Sequence, residues 1–295
     1  MTTLAIDIGG TKIRAGLVDG PVARQVRAIP TAPPPGENSI MPAMIALIRG
    51  YSGFDAIAVA AAGVISGGTV IAATDLIPNW AGTDIAAQLG EAFGVPVSVL
   101  GDVHAHGVGE AAYGAAAGGT SSLTVGVGTG IGGAYVHGLI PSVGAHGVAG
   151  HIGHITHGAA AGLLCSCGRS GHIEPLSSGT GMADAYQRAA GERIDGRELD
   201  IRAEAGDDEA VTVLRTGGYS LGEVLGSLAN TLDPDVIVVS GSVSRSTAHW
   251  WPALREGYAA AAMDTVRLTP LVRGELGDDA PLIGAAVYST KEKHA

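Results

Sequence analysis

Cysteine is almost absent from this chain: Cys165 and Cys167 are the only two in 295 residues, and one residue separates them. That spacing is too short for an ordinary disulfide, so no disulfide framework staples the fold, and a reducing, cytoplasmic setting is expected. Charge is scarce as well, at 15% of residues against 46% apolar ones, which argues against global disorder and leaves ample material for a core. Only Lys12 represents lysine before residue 291, and the net charge is −11. A chain of that sign is a poor partner for nucleic acid or an anionic membrane. No apolar run reaches membrane-spanning length. The opening Met-Thr-Thr-Leu-Ala-Ile-Asp enters a strand pattern without the basic and apolar segments of a signal peptide. A soluble protein of one large or two medium domains is the expectation.

Glycine, by contrast, occurs 47 times, which predicts many tight turns and close backbone approaches. Leu4–Ile8 and Ile13–Val18 are short apolar runs joined by Gly9-Gly10-Thr11-Lys12, a hairpin with a glycine tip. The theme returns half a chain later as Ser122–Val127, then Gly128-Thr129-Gly130-Ile131-Gly132-Gly133, then Ala134–His137. Two such units point to an internal duplication, with the small residues Ala115–Thr120 as a hinge between domains. Pro30, Pro33, Pro34 and Pro35 mark a loop, and Ala56–Ala62 a buried strand. Thr83–Phe93 has helical spacing with Thr83 as its cap, and Val97–Leu100 is a strand that leads into a helix to about Tyr113. Asp207–Leu232 reads as a long helix interrupted or kinked at Gly217-Gly218. Val236–Ser240 is an apolar strand, Thr247–Met263 and Leu282–Tyr288 are helical, and 291–295 is a polar tail.

A phosphate asks for backbone N–H donors, hydroxyls and little bulk. Gly9, Gly10 and Thr11 offer these, and so do Gly128, Thr129, Gly130 and Gly132. Two such tips facing each other across a cleft would grip a polyphosphate from both sides. Asp7, on the strand before the first tip, is placed to hold Mg²⁺ or its water shell. No P-loop pattern G-x-x-x-x-G-K-[ST] occurs. Gly128, Gly130 and Gly133 satisfy G-x-G-x-x-G, but a strand pattern follows and no acid appears until Glu174, which argues against a dinucleotide fold. Asp102 ends an apolar strand at a strand-to-helix turn. That place suits a helix N-cap first, and a general base aimed at a substrate hydroxyl second.

Residues 150–174 gather His151, His154, His157 and His172 around the two cysteines on short glycine-rich turns. Soft thiolates among imidazoles suit a tetrahedral Cys2His2 zinc site. Glu174 closes the segment as a lone carboxylate that such a frame would hold toward a substrate.

Taken in order, Asp7-Ile-Gly-Gly-Thr-Lys12, Val127-Gly-Thr-Gly-Ile-Gly-Gly133, Gly153-His154, Cys165-x-Cys167-Gly-x-x-Gly171, Glu174 and Val238-Val-Ser-Gly-Ser242 resemble the ROK family of sugar kinases and repressors. The resemblance implies an α/β fold of two ribonuclease-H-like domains, actin-like and hexokinase-type, with ATP and Mg²⁺ in the interdomain cleft. It implies transfer of a phosphoryl group to a hexose 6-hydroxyl, and a homodimer. It sets the domains at 1–114 plus 280–295 and at 115–279. Asp102 matches the family's catalytic base. Gly63, Asn79, His154 and Glu174 match sugar-contacting positions, and Gly241 and Ser242 the adenosine side. Family repressors carry a helix-turn-helix ahead of the first phosphate turn, whereas this chain starts at that turn, so a kinase is expected.

Three positions depart from the family pattern. The fourth zinc ligand, usually cysteine, is His172, which keeps a competent set of His154, Cys165, Cys167 and His172 for Zn²⁺. The residue before the base, usually asparagine, is Gly101, which removes a sugar hydrogen bond worth ~1–3 kcal/mol and puts tight glucose binding in doubt. Where glucokinase-like members have glutamate, His151 stands, and Ala149-Gly-His-Ile-Gly-His154 resembles bacterial N-acetylmannosamine kinases. An N-acetylmannosamine kinase is therefore the expectation, with a glucokinase or other hexose kinase as runner-up. A sugar sensor without catalysis is the alternative of a different class. His104, His106 and His157 match no site role.

Overall fold

The computed structural model describes residues 2–33, 36–73, 77–246 and 248–292. In chain order the first half holds β1 (Thr3–Ile8), β2 (Lys12–Asp19), β3 (Val22–Pro30), α1 (Met41–Ile48), β4 (Ala56–Ala61), β5 (Val64–Ser66), β6 (Thr69–Ala72), α2 (Ile85–Phe93), β7 (Val97–Gly101) and α3 (Asp102–Tyr113). The second half holds β8 (Ser121–Val127), β9 (Ile131–His137), β10 (Ile140–Pro141), α4 (Glu174–Ser177), α5 (Gly179–Ala190), α6 (Gly196–Glu204), α7 (Asp208–Leu232), β11 (Val236–Ser240), α8 (Trp250–Ala261), β12 (Leu271–Arg273) and α9 (Ala280–Glu292).

The first five-stranded sheet runs β3-β2-β1-β4-β7 and the second β10-β9-β8-β11-β12. Numbered within its own half, each sheet has the order 3-2-1-4-5, which is the duplicated ribonuclease-H-like arrangement. In the first, β1 pairs antiparallel with β2 and parallel with β4, and β4 pairs parallel with β7. Every residue of β4, Ala-Ile-Ala-Val-Ala-Ala, is buried, as a parallel strand covered on both faces requires. Its isoleucine and valine pack into a cluster with Leu4, Ile6, Ile8, Met44 and Ile85, and its other face meets Leu100, Ala105 and Val108.

The chain divides into two compact units. One comprises Met1–Thr124, Ala134–Gly150 and Glu275–Ala295; the other comprises Val125–Gly133 and His151–Gly274. The segments 115–124, 134–150 and 275–279, expected in the second domain, group with the first unit. The small-residue stretch Ala115–Thr120 lies inside that unit, not at a boundary.

Several local expectations need correction. α2 is capped by Asp84, whose carboxylate accepts from Ala87 N, and not by Thr83. Gly132 and Gly133 belong to β9, so the second glycine turn is only Gly128-Thr129-Gly130. α7 is one 25-residue helix through Gly217 and Gly218. Its glycines serve packing: a Cβ at Gly218 would stand 2.5 Å from Trp250 O and one at Gly226 2.8 Å from Tyr258 O, with Gly222 held as closely against Leu254. A stripe at i, i+4 and i+8 lets α8 approach backbone to backbone. The first unit repeats the device, with Gly109 of α3 against Ala280 and Gly284 of α9 against Ala105. The expected helix at 247–263 is α8, which starts at Trp250; Thr247 lies outside the described residues, as do Pro34, Pro35 and the tail residues 293–295.

Candidate functional site

In the first unit the candidate side chains Asp7 and Asp102 sit at the C-terminal ends of parallel strands, where α/β folds open onto ligands. β1 delivers Asp7 and β7 delivers Asp102, two strands apart with Ala60 and Ala61 of β4 between them. α3 begins at Asp102 with Gly101 as its cap residue, so Asp102 is the first helical residue and not the N-cap. Its Oδ1 accepts from Val103 N at 2.8 Å. Burial pushes the Asp102 carboxyl up to about 6, against the restraining Val103 N–H. Asp7 is pushed up to about 7, first by burial and next by the charge of Asp102, with Arg14 and Lys12 opposing.

The first glycine turn is closed by Gly9 N donating to Lys12 O at 3.1 Å and held by Thr31, whose hydroxyl donates to Gly9 O at 2.7 Å. Gly10 and Thr11 are exposed at its tip. Lys12 pairs with Asp278 at 2.9 Å, and Arg14 pairs with Asp279 at 2.6 Å. Gly63 follows β4 with φ +108, and a Cβ there would stand 2.8 Å from Ala72 O. Asn79 also has a left-handed backbone, φ +53, and its Nδ2 donates to Asn38 O. Trp80 was not foreseen. Its buried indole donates to Ala62 O at 2.8 Å and so ties the Asn79 loop to the residue before Gly63. The Pro78-Asn79-Trp80 string was the only hint of that anchor.

The second unit holds the other glycine turn. Gly128 N donates to Gly130 O at 2.9 Å, and Gly179 N, at the start of α5, donates to Gly128 O at 2.7 Å. That helix start directs its positive end at the turn. Thr129 is exposed and Gly130 half-buried. Gly132, expected at the phosphate, is carried into β9 and away from the turn's tip. Gly241, φ +87 at the end of β11, has no room for a Cβ against the backbone of Val127. The exposed Ser242 follows it, with its hydroxyl beside Gly128.

The knuckle brings His154, Cys165, Cys167 and His172 together, with all four ligand atoms within 4.8 Å of one another. Cys165 N donates to Arg169 O and Gly168 N to Cys165 O, so Gly168, φ +83, closes the turn that presents both thiols. His154 Nδ1 lies 3.4 Å from His172 Nδ1 and 3.4 Å from Cys165 Sγ, and Cys167 Sγ lies 3.3 Å from His172 Nδ1. Tetrahedral zinc with bonds of ~2.05 Å to nitrogen and ~2.3 Å to sulfur has edges of ~3.3–3.6 Å between such atoms, so the set fits the ion. Burial lowers His154 toward the neutral form that ligates metals, partly offset by Glu174.

Glu174 begins α4 and bridges the knuckle and the second glycine turn. Its Oε2 accepts from Ile131 N at 2.9 Å and its Oε1 from Ser166 Oγ at 3.0 Å. A Cβ at Gly130 would stand 2.6 Å from Oε2, so a side chain there would have to displace this carboxylate. His151 is exposed, its ring stacked on His154 at 6.0 Å. Of the histidines given no role, His157 caps the turn at 158–160 and pairs with Glu223 at 3.1 Å. His106 lies 3.9 Å from the fully buried Glu110, whose carboxylate accepts from Ala115, Glu275 and Leu276 N–H. His104 is buried beside Gly101.

Comparison with known proteins places the chain in a family. The ROK family pattern matches residues 3–292. N-acetylmannosamine kinase of Escherichia coli O157:H7 is 34% identical over 302 residues, covering 99% of this chain and all of the relative. Among solved structures, ROK hexokinase from Thermus thermophilus superposes with TM-score 0.89 at 31% identity, covering both chains fully. A ROK family glucokinase from Streptomyces griseus, in complex with glucose and AMPPNP, gives TM-score 0.84 at 28% identity over 99% of this chain and all of that one. A family match along almost the whole length, joined to a full-length relative of this identity, decides the assignment: the chain belongs to the ROK family.

Proposed function

We propose that this protein is an ATP-dependent sugar kinase that phosphorylates the 6-hydroxyl of a hexose, with N-acetylmannosamine as the favoured acceptor. The observation that carries the reading is Asp102: a carboxylate at the end of a parallel strand, pushed by burial up to about 6, is suited to take a proton near neutral pH. In the proposed reaction Asp102 accepts the 6-hydroxyl proton while that oxygen takes the terminal phosphoryl group of ATP, and ADP leaves. Phosphoryl transfer otherwise asks for positioning and charge neutralisation. Gly9, Gly10, Thr11 and Lys12 would supply these from one unit, and Thr129 and Gly130 from the other. Gly241 and Ser242 would receive the adenosine. Asp7 would hold Mg²⁺ or its waters, and the metal would offset phosphate charge.

His154, Cys165, Cys167 and His172 would hold Zn²⁺, whose part is to fix the loop that carries His151 and Glu174. Gly63, Asn79, His151, His154 and Glu174 would line the sugar. N-acetylmannosamine is favoured by two supports: His151 in place of an acid, and the full-length likeness to N-acetylmannosamine kinase. A cytoplasmic homodimer completes the proposal; among the described residues no helix is long and apolar enough to cross a membrane.

The test is ADP release with Mg-ATP across N-acetylmannosamine, glucose, mannose and N-acetylglucosamine. A lead in kcat/KM for N-acetylmannosamine is expected. A lead for glucose returns the reading to a glucokinase. Absence of sugar-dependent ADP release, with sugar still raising the melting temperature, makes the protein a sensor.

A further inference from the structure

The carboxylate of Glu174 has two unlike holds. Oε2 is set by the main chain: Ile131 N, at the start of β9, donates to it at 2.9 Å. Gly130 and Gly153 close in around that oxygen, since a Cβ would stand 2.6 Å from it at the first and 3.1 Å at the second. Oε1 is set by a side chain. Ser166 Oγ donates to it at 3.0 Å, with Cys165 Sγ a more distant neighbour at 4.0 Å. A carboxylate held at one oxygen can swing about that hydrogen bond; held at both, its plane is fixed. The orientation of Glu174 therefore depends on Ser166.

Ser166 is placed by the residues on either side of it. Cys165 and Cys167 are two of the four side chains that fit Zn²⁺. Cys165 N donates to Arg169 O at 2.8 Å and Gly168 N to Cys165 O at 2.9 Å, which fixes the backbone of the turn. Ser166 is itself exposed, and an exposed hydrogen bond of this kind adds little to folding, because water replaces either partner. Its effect falls on binding instead. An acceptor that is already oriented does not have to be ordered when a ligand arrives. The Cys-Ser-Cys string displays the two thiols and gives no sign that the hydroxyl between them reaches Glu174 eight residues on.

We infer that Ser166 is a positioning residue for sugar binding: its hydroxyl sets the rotation of the Glu174 carboxylate, so that this acceptor is oriented before the sugar arrives. The inference rests on the reading of Glu174 as a sugar-contacting residue. Under that reading Asp102 handles the reacting proton and Glu174 only holds the sugar. Loss of the Ser166 hydroxyl then weakens ground state and transition state alike, so KM rises while kcat stays.

The experiment measures kcat and KM with Mg-ATP, calorimetric sugar binding, melting temperature and bound zinc in the wild type, Ser166→Ala, Ser166→Thr and Glu174→Gln. The sugar is the one with the highest kcat/KM among the four named above. Ser166→Ala should raise KM and Kd about three- to tenfold, with kcat within about twofold, the melting temperature within about 2 °C and zinc as in the wild type. Ser166→Thr keeps the donor and should recover most of the affinity. Glu174→Gln should weaken binding further than Ser166→Ala. A merely structural Ser166 would lower melting temperature or zinc content and move kcat together with KM. Unchanged sugar affinity in Ser166→Ala, or no recovery in Ser166→Thr, overturns the inference when Glu174→Gln does bind weakly. If Ser166→Ala fails to fold, Ser166→Gly takes its place, and unchanged affinity there overturns it. Normal binding in Glu174→Gln defeats instead the reading of Glu174 as a sugar contact. A wild type that turns over no hexose defeats the kinase step alone, and calorimetry with the same variants then decides; a wild type that binds none of the four sugars overturns the sugar reading and this inference with it.

Discussion

Asp102 carries two opposed effects in one side chain. As the proposed base it would have to be ionised, so kcat/KM for the sugar should fall as pH drops through about 6. For stability the sign is opposite. A carboxyl raised from 3.8 to about 6 in the fold holds its proton better folded than unfolded, so its contribution is full below the unfolded value and is lost as pH rises through the folded one. Asp102→Asn keeps an acceptor for Val103 N–H and removes the buried charge. It should cut kcat by ~10²–10⁴ while raising stability at pH 8 by up to about 3 kcal/mol, and leave stability at pH 4 nearly unchanged. Steady-state ADP release and melting curves at the two pH values check both halves, and near-normal turnover removes Asp102 as the base. The place of this residue between strand and helix was legible because a strand, a Gly-Asp pair and a helix follow one another in sequence. The packing of the His104 ring against Gly101 was not, because three residues of helix say nothing about it until the turn is built.

At the scale of elements, legibility followed the strength of the local signal. The glycine-tipped hairpins and the all-buried β4 stood out because their apolar runs are continuous. β3 was missed because Val22–Pro30 is an edge strand with almost every residue exposed, so no alternation marks it. Gly217-Gly218 was misread because a glycine pair predicts a break only when nothing packs on it, and here α8 does. The knuckle was legible through its Cys/His spacing, and its physics explains why metal should matter. Between His151 and Glu174 the described backbone has only isolated bridges, Thr156 with His172 and Leu164 with Ser170, and two short turns of 3₁₀ helix. Four side chains converging on one point would then supply most of the order. Removing the metal with a chelator should expose residues 151–174 to proteolysis and lower sugar affinity, since His151, His154 and Glu174 ride on that loop. Unchanged affinity in a sample shown to be metal-free would refute the dependence.

At the scale of the whole molecule, buried acids make the pH response of the fold lopsided. Asp7 at about 7 and Asp102 at about 6 both hold protons that the unfolded chain has released, and Asp200 is raised as well, chiefly by burial. Each contributes stability that fades as pH climbs from about 4 toward its folded value. Buried His106 works the other way: burial lowers it, so its contribution is lost as pH falls below its ordinary 6.5. The histidine therefore opposes the acids below 6.5 and leaves them alone above it. Between pH 6.5 and 8 Asp7 and Asp102 together should cost roughly 1 kcal/mol, a fall in melting temperature of about 2–4 °C for a chain of this size. The net charge of −11 adds self-repulsion over the same range, and salt screens that part but not the buried pair. Melting curves at pH 6.5 and 8 in 0.2 M salt should retain most of the drop, and Asp7→Asn should remove the larger share of it. Mg²⁺ should also shrink the drop if Asp7 receives the ion, because binding favours the ionised folded form. A pH response that survives Asp7→Asn unchanged would show that Asp7 does not hold its proton in the fold.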